Sequence, residues 1–492
     1  MLTLLKTPPT APRMRMAQAA ALIALLAGWA AAPDEARAAQ PATNANPAVG
    51  RGSLYPQKSA ETAALSRALG GASYILDDIG ESEEFQEAIR RAVGVHPLFH
   101  RENSKSAEAR ARIRAERAAL YPRLSAGIDA EHVISREFGA GTDNVVESLR
   151  PETEVNGVVS ASQLLFDGGA AFARIKGARA LDRSARRSLS ARINEVALSA
   201  LSAYEDLAVH QAILRVGDDF ILRHESLLGD VTERNRLGGG TRADVMQATG
   251  RLAALRARIA QIRQSARVAE IRYLEFFKTE PGTLSLPSFE AGGVSSRAET
   301  AALAVERHPE IGAAAALSDQ ARAEYKAARA ARFPELRASV NGVKYDLLDG
   351  SDDYDIRAGV NFNYDIFAGG ARGAEIAQAA ALARQQKFDE ERVRQEIERD
   401  AMIAYESREA SKERLAALAD AVVANFEARR LVAERFRNAR GELIDVLQAE
   451  NDYFEAAVAY LAGVADRDMA TYGLMEHTGE LLRYFSPEPD AR

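Results

Sequence analysis

Four short stretches of this chain alternate apolar and polar residues with a period of two. In the clearest, Ile356, Ala358, Val360, Phe362 and Tyr364 alternate with Arg357, Gly359, Asn361, Asn363 and Asp365, which predicts a strand with one oily and one wet face. Leu336, Ala338, Val340 and Gly342 alternate with Arg337, Ser339 and Asn341 in a partner strand. An acidic turn carrying Asp346, Asp349, Asp352 and Asp353 joins the two as a hairpin. Residues 124–133 and 155–165 repeat the pattern more weakly. Each strand is about ten residues, the length that crosses an outer membrane when tilted.

After each pair of strands the period becomes helical. No proline occurs from Glu152 to Glu280 or from Glu335 to Ser486, so two long segments lack the strongest helix breaker. Residues 371–440 are rich in Ala, Glu, Arg and Gln, which favour helix. Leu415, Leu418, Val422 and Phe426 keep helical spacing before the turn at 438–441, and Leu447, Phe454, Val458 and Leu461 keep it after. Leu237-Gly238-Gly239-Gly240 is the matching turn in the first half. The 68-residue separation of Gly370 and Asn438 makes a rod of roughly 100 Å at about 1.5 Å per residue.

These elements occur twice. His96-Pro97 and Tyr121-Pro122 return as His308-Pro309 and Phe333-Pro334 at an offset of 212. Phe166-Asp167-Gly168-Gly169 returns as Phe367-Ala368-Gly369-Gly370, Tyr204 as Tyr405, and residues 244–248 as 445–449, all at an offset of 201. The 11-residue difference therefore arose between Tyr121 and Phe166, and a tolerated insertion marks a surface loop. Repeat 1 spans residues 85–280, with its hairpin at about 122–166 and its helical tip near 237–241. A linker at 281–297 leads to repeat 2 at 298–486, with its hairpin at about 334–367 and its tip near 438–442.

Composition adds constraints. Residues 1–38 read as a secretory signal, with basic Lys6, Arg13 and Arg15, an apolar run over 19–32, and Ala36-Arg37-Ala38 as the cleavage site. That run is shorter than the roughly 20 residues a spanning helix needs. Removing the signal takes away four basic and two acidic groups, so the formal charge goes from −7 to −9, a poor balance for binding nucleic acid. A flexible leader is expected at 39–84 and a short tail at 487–492. There is no cysteine, which excludes disulfides, thiolate metal sites and an acylated N-terminal cysteine.

Tyr121, Phe166, Phe333 and Phe367 flank the four strands where they meet the helices, the place of an interfacial aromatic girdle. Packing of a soluble strand–helix junction is the other reading. Four strands leave two open edges, which cannot face lipid because each unpaired backbone group costs several kcal/mol there. Three copies would give an even-numbered, 12-stranded barrel with a wide lumen.

The duplication, the Leu165-Phe166-Asp167-Gly168-Gly169 and Ile366-Phe367-Ala368-Gly369-Gly370 junctions, and the tips at 240–245 and 441–446 together resemble the TolC family of trimeric outer-membrane channel-tunnels. The resemblance covers residues 85–485. It implies a mainly α fold with membrane β: four strands per chain in a trimeric 12-stranded barrel, continued by an α-helical tunnel in the periplasm. It further implies a homotrimer set in outer-membrane lipid, a periplasmic adaptor (membrane fusion protein), an inner-membrane ABC or RND-type pump, no cofactor and no catalysis. Its members export proteins by type I secretion or small molecules by efflux. The missing lipidation cysteine favours type I secretion. A soluble periplasmic coiled-coil adaptor or scaffold also uses long helical hairpins, but lacks the amphipathic strand pairs.

Gly168, Gly169, Gly369 and Gly370 are expected to swivel strand into helix through backbone angles that other residues avoid. Asp167 can cap the following helix and Ala368 cannot, a difference of about 1 kcal/mol. The resemblance places an acidic ring at the periplasmic entrance on Asp445, with Gln448 where a second acid would stand and Arg440 near the position of a locking arginine. Asp244 and Asp445 are equally readable as first-turn acids that favour the helix dipole. The acidic turn lacks calcium-loop spacing, Gly238-Gly239-Gly240 lacks the lysine of a phosphate loop, and His96 and His308 stand as helix-start punctuation beside prolines.

Overall fold

The structure is a computed structural model that describes residues 60–70, 72–73, 83–137, 151–286, 294–348, 352–438 and 440–485. The expected signal, tail and most of the leader lie outside the described residues, as do Asp349 and Ala439. The order is α1 Ala60–Leu69, α2 Glu83–Val95, α3 Pro97–Ala118, β1 Arg123–His132, β2 Thr153–Phe166, α4 Ala170–Arg236 and α5 Arg242–Phe277. The second half follows with α6 Arg297–Arg307, α7 Pro309–Ala330, β3 Glu335–Lys344, β4 Tyr354–Asn363, α8 Ala371–Arg437, α9 Leu443–His477 and α10 Leu481–Phe485. Both rods, α4 and α8, contain 67 residues. No helix among the described residues is long and apolar enough to cross a membrane.

The chain divides into two units. The first holds residues 108–182 and 317–386 and contains the sheet. Its strands are antiparallel in the order β1-β2-β3-β4. The ends of β1 and β3 stand 212 apart and the starts of β2 and β4 stand 201 apart, so the whole length difference falls between 133–152 and 345–353. The insertion is a loop, as the offsets required. The strands shift by one or two residues from the expected bounds, and two ends differ in kind. β2 runs through Phe166 with a bulge between Leu164 and Phe166, and β4 stops at Asn363, short of the alternation continued by Tyr364 and Asp365. There the backbone turns toward α8, and Arg372 binds both the carboxylate and the carbonyl of Asp365.

Pairing register decides what the alternation means. Leu124 faces Ala161, Ala126 faces Val159, and Ile128 faces Gly157 across β1 and β2. Ala161 faces Val340 and Val159 faces Gly342 across β2 and β3, while Leu336, Ala338 and Val340 face Phe362, Val360 and Ala358 across β3 and β4. Because side chains alternate with period two, these pairs merge four apolar stripes into one face. The opposite face carries Arg123 against Ser162, Asp129 against Asn156, Ser160 against Asn341, and Arg337 against Asn361. Leu347 packs over Gly157 on this face, but the rest stays open among the described residues: Ile128, Val360 and Phe362 are 70%, 63% and 67% exposed.

The second unit holds the rest of the described chain and most of its buried core. Alanine supplies much of that core, with Ala200, Ala208, Ala212, Ala401 and Ala457 fully buried, because small side chains let helices approach closely. Aromatics lock the remainder. Phe220 stacks on Phe454 with centroids 4.7 Å apart, and Phe85 meets the Tyr204 ring edge-on at 4.9 Å. Val422, Phe454 and Leu461 from the predicted helical stripes are buried in this cluster.

Candidate functional site

Three places carry polar side chains in arrangements beyond simple packing: the strand-to-helix junctions, the helical tips, and buried ion networks along the hairpins.

At the junctions, Gly168, Gly169, Gly369 and Gly370 have φ of 67°, 87°, 60° and 84°, all in the left-handed region that disfavours a Cβ. Gly168 is doubly constrained, since a Cβ there would lie 2.7 Å from Ala330 O and 2.8 Å from Phe333 Cβ. Asp167 accepts the N–H groups of Gly169 and Ala171 at 3.0 and 2.7 Å, capping α4 as expected. Tyr121, Phe166, Phe333 and Phe367 are all exposed beside the strand ends, Phe367 most of all.

At the tips, the duplicated aspartates diverge. Thr241 N–H donates to Asp244 at 2.9 Å, and Asp244 N–H donates to Thr241 Oγ1 at 3.1 Å, which forms a complete capping box. The Thr241 N–H holds the Asp244 carboxyl below the usual carboxylate range. In repeat 2 the N-cap is Glu442, which makes no side-chain cap. Asp445 is exposed and makes no side-chain hydrogen bond or ion pair among the described residues. Gln448, also exposed, donates to Asp452 at 3.0 Å. Arg440 is exposed, and its N–H closes the turn on Arg435 O at 2.9 Å.

One tip residue was not anticipated. Arg234, in the last turn of α4, donates to Phe436 O at 3.1 Å and to Arg437 O at 3.4 Å at the end of α8, and lies 4.4 Å from the Phe436 ring centroid. It satisfies two carbonyls that α8 leaves open at its C-terminus. Beneath it, Val231, Ala248, Phe436, Leu443, Val446 and Leu447 form a separate small core.

Further along, Glu450 of α9 is buried with Arg223 of α4 and Arg429 of α8, each 3.7 Å away, and Arg429 lies 4.2 Å from the Tyr453 ring centroid. Burial pushes the Glu450 carboxyl up despite both guanidiniums. Fully buried Glu205 accepts the Tyr472 hydroxyl at 3.0 Å. Burial, then the nearby Asp468 charge, pushes its carboxyl well up. Neither network carried a local motif, since each joins α4 to α9 across more than 200 residues of chain, and Arg429 and Glu450 meet across the α8–α9 turn 21 residues apart.

The family model for outer membrane efflux proteins matches residues 96–273 and 301–480, one match for each repeat. The chain belongs to the outer membrane efflux protein family. Outer membrane efflux protein BepC of Brucella suis is 24% identical over 348 residues, covering 69% of this chain and 76% of that protein. Protein CyaE of Bordetella pertussis is 25% identical over 424 residues, covering 83% and 85%. The CmeC outer membrane channel of Campylobacter jejuni has the same fold, with a TM-score of 0.71 at 13% identity over 83% of this chain and 88% of that one.

This outer membrane efflux protein is an outer-membrane exit duct of the channel-tunnel type. The soluble adaptor or scaffold reading is not retained, because the family match spans both repeats, including their membrane hairpins. Within the efflux protein, the junction glycines and the tip residues lie at separate sites, and Asp244 is committed to its helix cap while Asp445 is not.

Proposed function

We propose that three copies of this efflux protein close a 12-stranded barrel in the outer membrane, extended by a helical tunnel in the periplasm. One observation carries the reading: a four-stranded sheet with one largely apolar face, interrupted at Gln163, and a second edge on both β1 and β4 that has no strand partner among the described residues. Such edges are unsatisfied in lipid, and sister copies satisfy them by pairing β4 of one with β1 of the next. The Tyr121, Phe166, Phe333 and Phe367 ring then marks the inner membrane–water boundary.

The tips form the entrance that a periplasmic adaptor and an inner-membrane pump engage. Three Asp445 carboxylates around one axis concentrate negative potential and favour cations there, and Arg234 holds the inner hairpin against the outer one. The absence of a lipidation cysteine supports a polypeptide cargo over small toxic compounds. Mass measurement of the full-length protein in detergent tests the assembly. A trimer is expected, and a monomer under conditions that keep the fold overturns the reading. Deleting the protein separates the cargoes: loss of one secreted polypeptide supports secretion, and sensitivity to a panel of toxic compounds supports efflux.

A further inference from the structure

The junction between α6 and α7 is built twice, and only one of the two versions has the chemistry to hold a metal ion. In repeat 1, His96 follows α2 and its ring stacks on Phe276 near the end of α5, with centroids 5.3 Å apart and an interplanar angle of 11°. Glu275 precedes Phe276 and partly offsets the burial that holds the His96 imidazole below its ordinary range. The offsets of the duplication map His96, Glu275 and Phe276 onto His308, Glu476 and His477. The stack is kept, at 5.9 Å and 28°, but the second ring is now an imidazole.

That exchange places three ligand atoms together. His308 Nε2 lies 3.5 Å from Glu476 Oε1, His477 Nδ1 lies 3.3 Å from Glu476 Oε2, and all three ligand atoms fall within 4.8 Å of one another. Zinc bonds of about 2.0–2.1 Å in a tetrahedron set neighbouring ligand atoms roughly 3.3–3.4 Å apart. Each imidazole lies at about that distance from a different oxygen of Glu476, so a small contraction of the group brings both rings and one carboxylate oxygen onto a single ion. His477 Nδ1 is buried and forms no hydrogen bond despite its closeness to the carboxylate. The Nδ1 lone pair is thus free of a hydrogen-bond donor and available as a ligand.

The backbone holds the group in place. α9 ends in a Schellman turn: Gly479 N–H donates to Glu476 O at 3.1 Å, Glu480 N–H donates to Met475 O at 2.8 Å, and Gly479 has φ of 72°. A Cβ at Gly479 would come within 3.3 Å of Arg307 Cβ, so the glycine lets the end of α9 sit directly on the end of α6, beside His308. His308 is almost fully buried, whereas Glu476 and His477 keep 18% and 22% side-chain exposure, so the group lies at the edge of the core.

We propose that His308, Glu476 and His477 bind a divalent transition-metal ion of the zinc class, with water as fourth ligand. Two imidazoles and one carboxylate suit that class, and in a chain without cysteine they are the donors available to it. His308 Nδ1 accepts the Glu310 N–H at 3.3 Å, the contact that His96 makes with Leu98 N–H at the same distance. A ligating imidazole carries its proton on the nitrogen away from the metal. Ligation through Nε2 puts the His308 proton on Nδ1, facing the Glu310 N–H, so that 3.3 Å contact must open when the ion binds, against the three coordinate bonds gained. The ion pins the end of α9 to the α6–α7 junction in repeat 2 alone.

The test uses full-length protein without a polyhistidine tag, purified in detergent, stripped with chelator and titrated with Zn2+ and Co2+. The wild type is expected to take up one ion per chain, to show the intense visible bands of low-coordinate Co2+, and to melt at a higher temperature with zinc. His477→Phe recreates the repeat 1 stack, so it should fold and melt like the stripped wild type while losing the ion, the bands and the zinc-dependent rise. Equal uptake by the wild type and H477F, or no uptake by the wild type at micromolar Zn2+, overturns the proposal.

Discussion

The guanidinium of Arg234 lies 4.4 Å from the Phe436 ring centroid and donates to the carbonyl of the same residue, joining the last turns of two helices that are distant in sequence. A partly buried cation–π contact with charge-assisted hydrogen bonds contributes about 2 kcal/mol. Arg234→Ala should therefore leave the fold intact but loosen the tip, giving larger or more frequent openings in a planar bilayer. Both carbonyls are reached by the one nitrogen Nη2 while the planar guanidinium lies against the Phe436 ring, so Arg234→Lys should keep part of the carbonyl contact, lose the planar ring contact and restore the latch only in part. Wild-type conductance in both variants would remove Arg234 from control of the entrance.

Asp244 and Asp445 occupy equivalent positions with different commitments, so their variants should separate. Asp445→Asn is expected to reduce cation preference and block by multivalent cations, with the melting temperature unchanged. Asp244→Asn weakens the capping box with Thr241 and should act on thermal stability while leaving ion selectivity alone. If both substitutions moved selectivity equally, the assignment of the entrance charge to Asp445 would be wrong.

Gly168→Ala should be the most damaging junction substitution. The left-handed backbone alone costs about 1–2 kcal/mol for a residue with a Cβ, and the new methyl would also press on Ala330 O and Phe333. Gly169→Ala meets open space and carries the backbone strain alone. The yield of assembled protein after mild heating should fall in the order wild type, G169A, G168A, and equal loss in both variants would contradict the crowding at Gly168.

Glu205 sets a pH dependence whose sign follows from its environment. Burial and the Asp468 charge raise its carboxyl pKa in the folded chain above the unfolded value. Between those two values the folded chain binds more protons than the unfolded one. The stabilisation is complete below the ordinary carboxylate range and is lost as pH rises through the folded value. Glu205→Gln, which can still accept from Tyr472, removes this titration. Melting temperatures of the variant should fall less than those of the wild type as pH rises above the ordinary carboxylate range, and identical slopes would show that Glu205 contributes no such titration.

The elements themselves were readable from residue order, because each depends on neighbours a few positions away. Alternation of Ile356, Ala358, Val360 and Phe362 against Arg357, Gly359 and Asn361 can only be a two-faced strand, and proline-free runs of good helix formers can only be long helices. Duplication did the same for the loop between β1 and β2, whose extra length was placed by two offsets. The capping role of Asp167, too, was written in its position after Phe166.

Other features depend on which distant residues meet, and local pattern carries no signal for that. Only pairing register shows that four separate stripes form one apolar face, since a shift of one residue in any strand would have broken it. Only packing brings Arg234 to Phe436, commits Asp244 but not Asp445, buries Glu205 beside Asp468, and sets His308 against Glu476 and His477. Helix and strand formation is settled by short-range backbone sterics and the period of apolar positions. Charge state, latching and ligand geometry are settled by contacts closed across hundreds of residues, which the folded chain alone specifies.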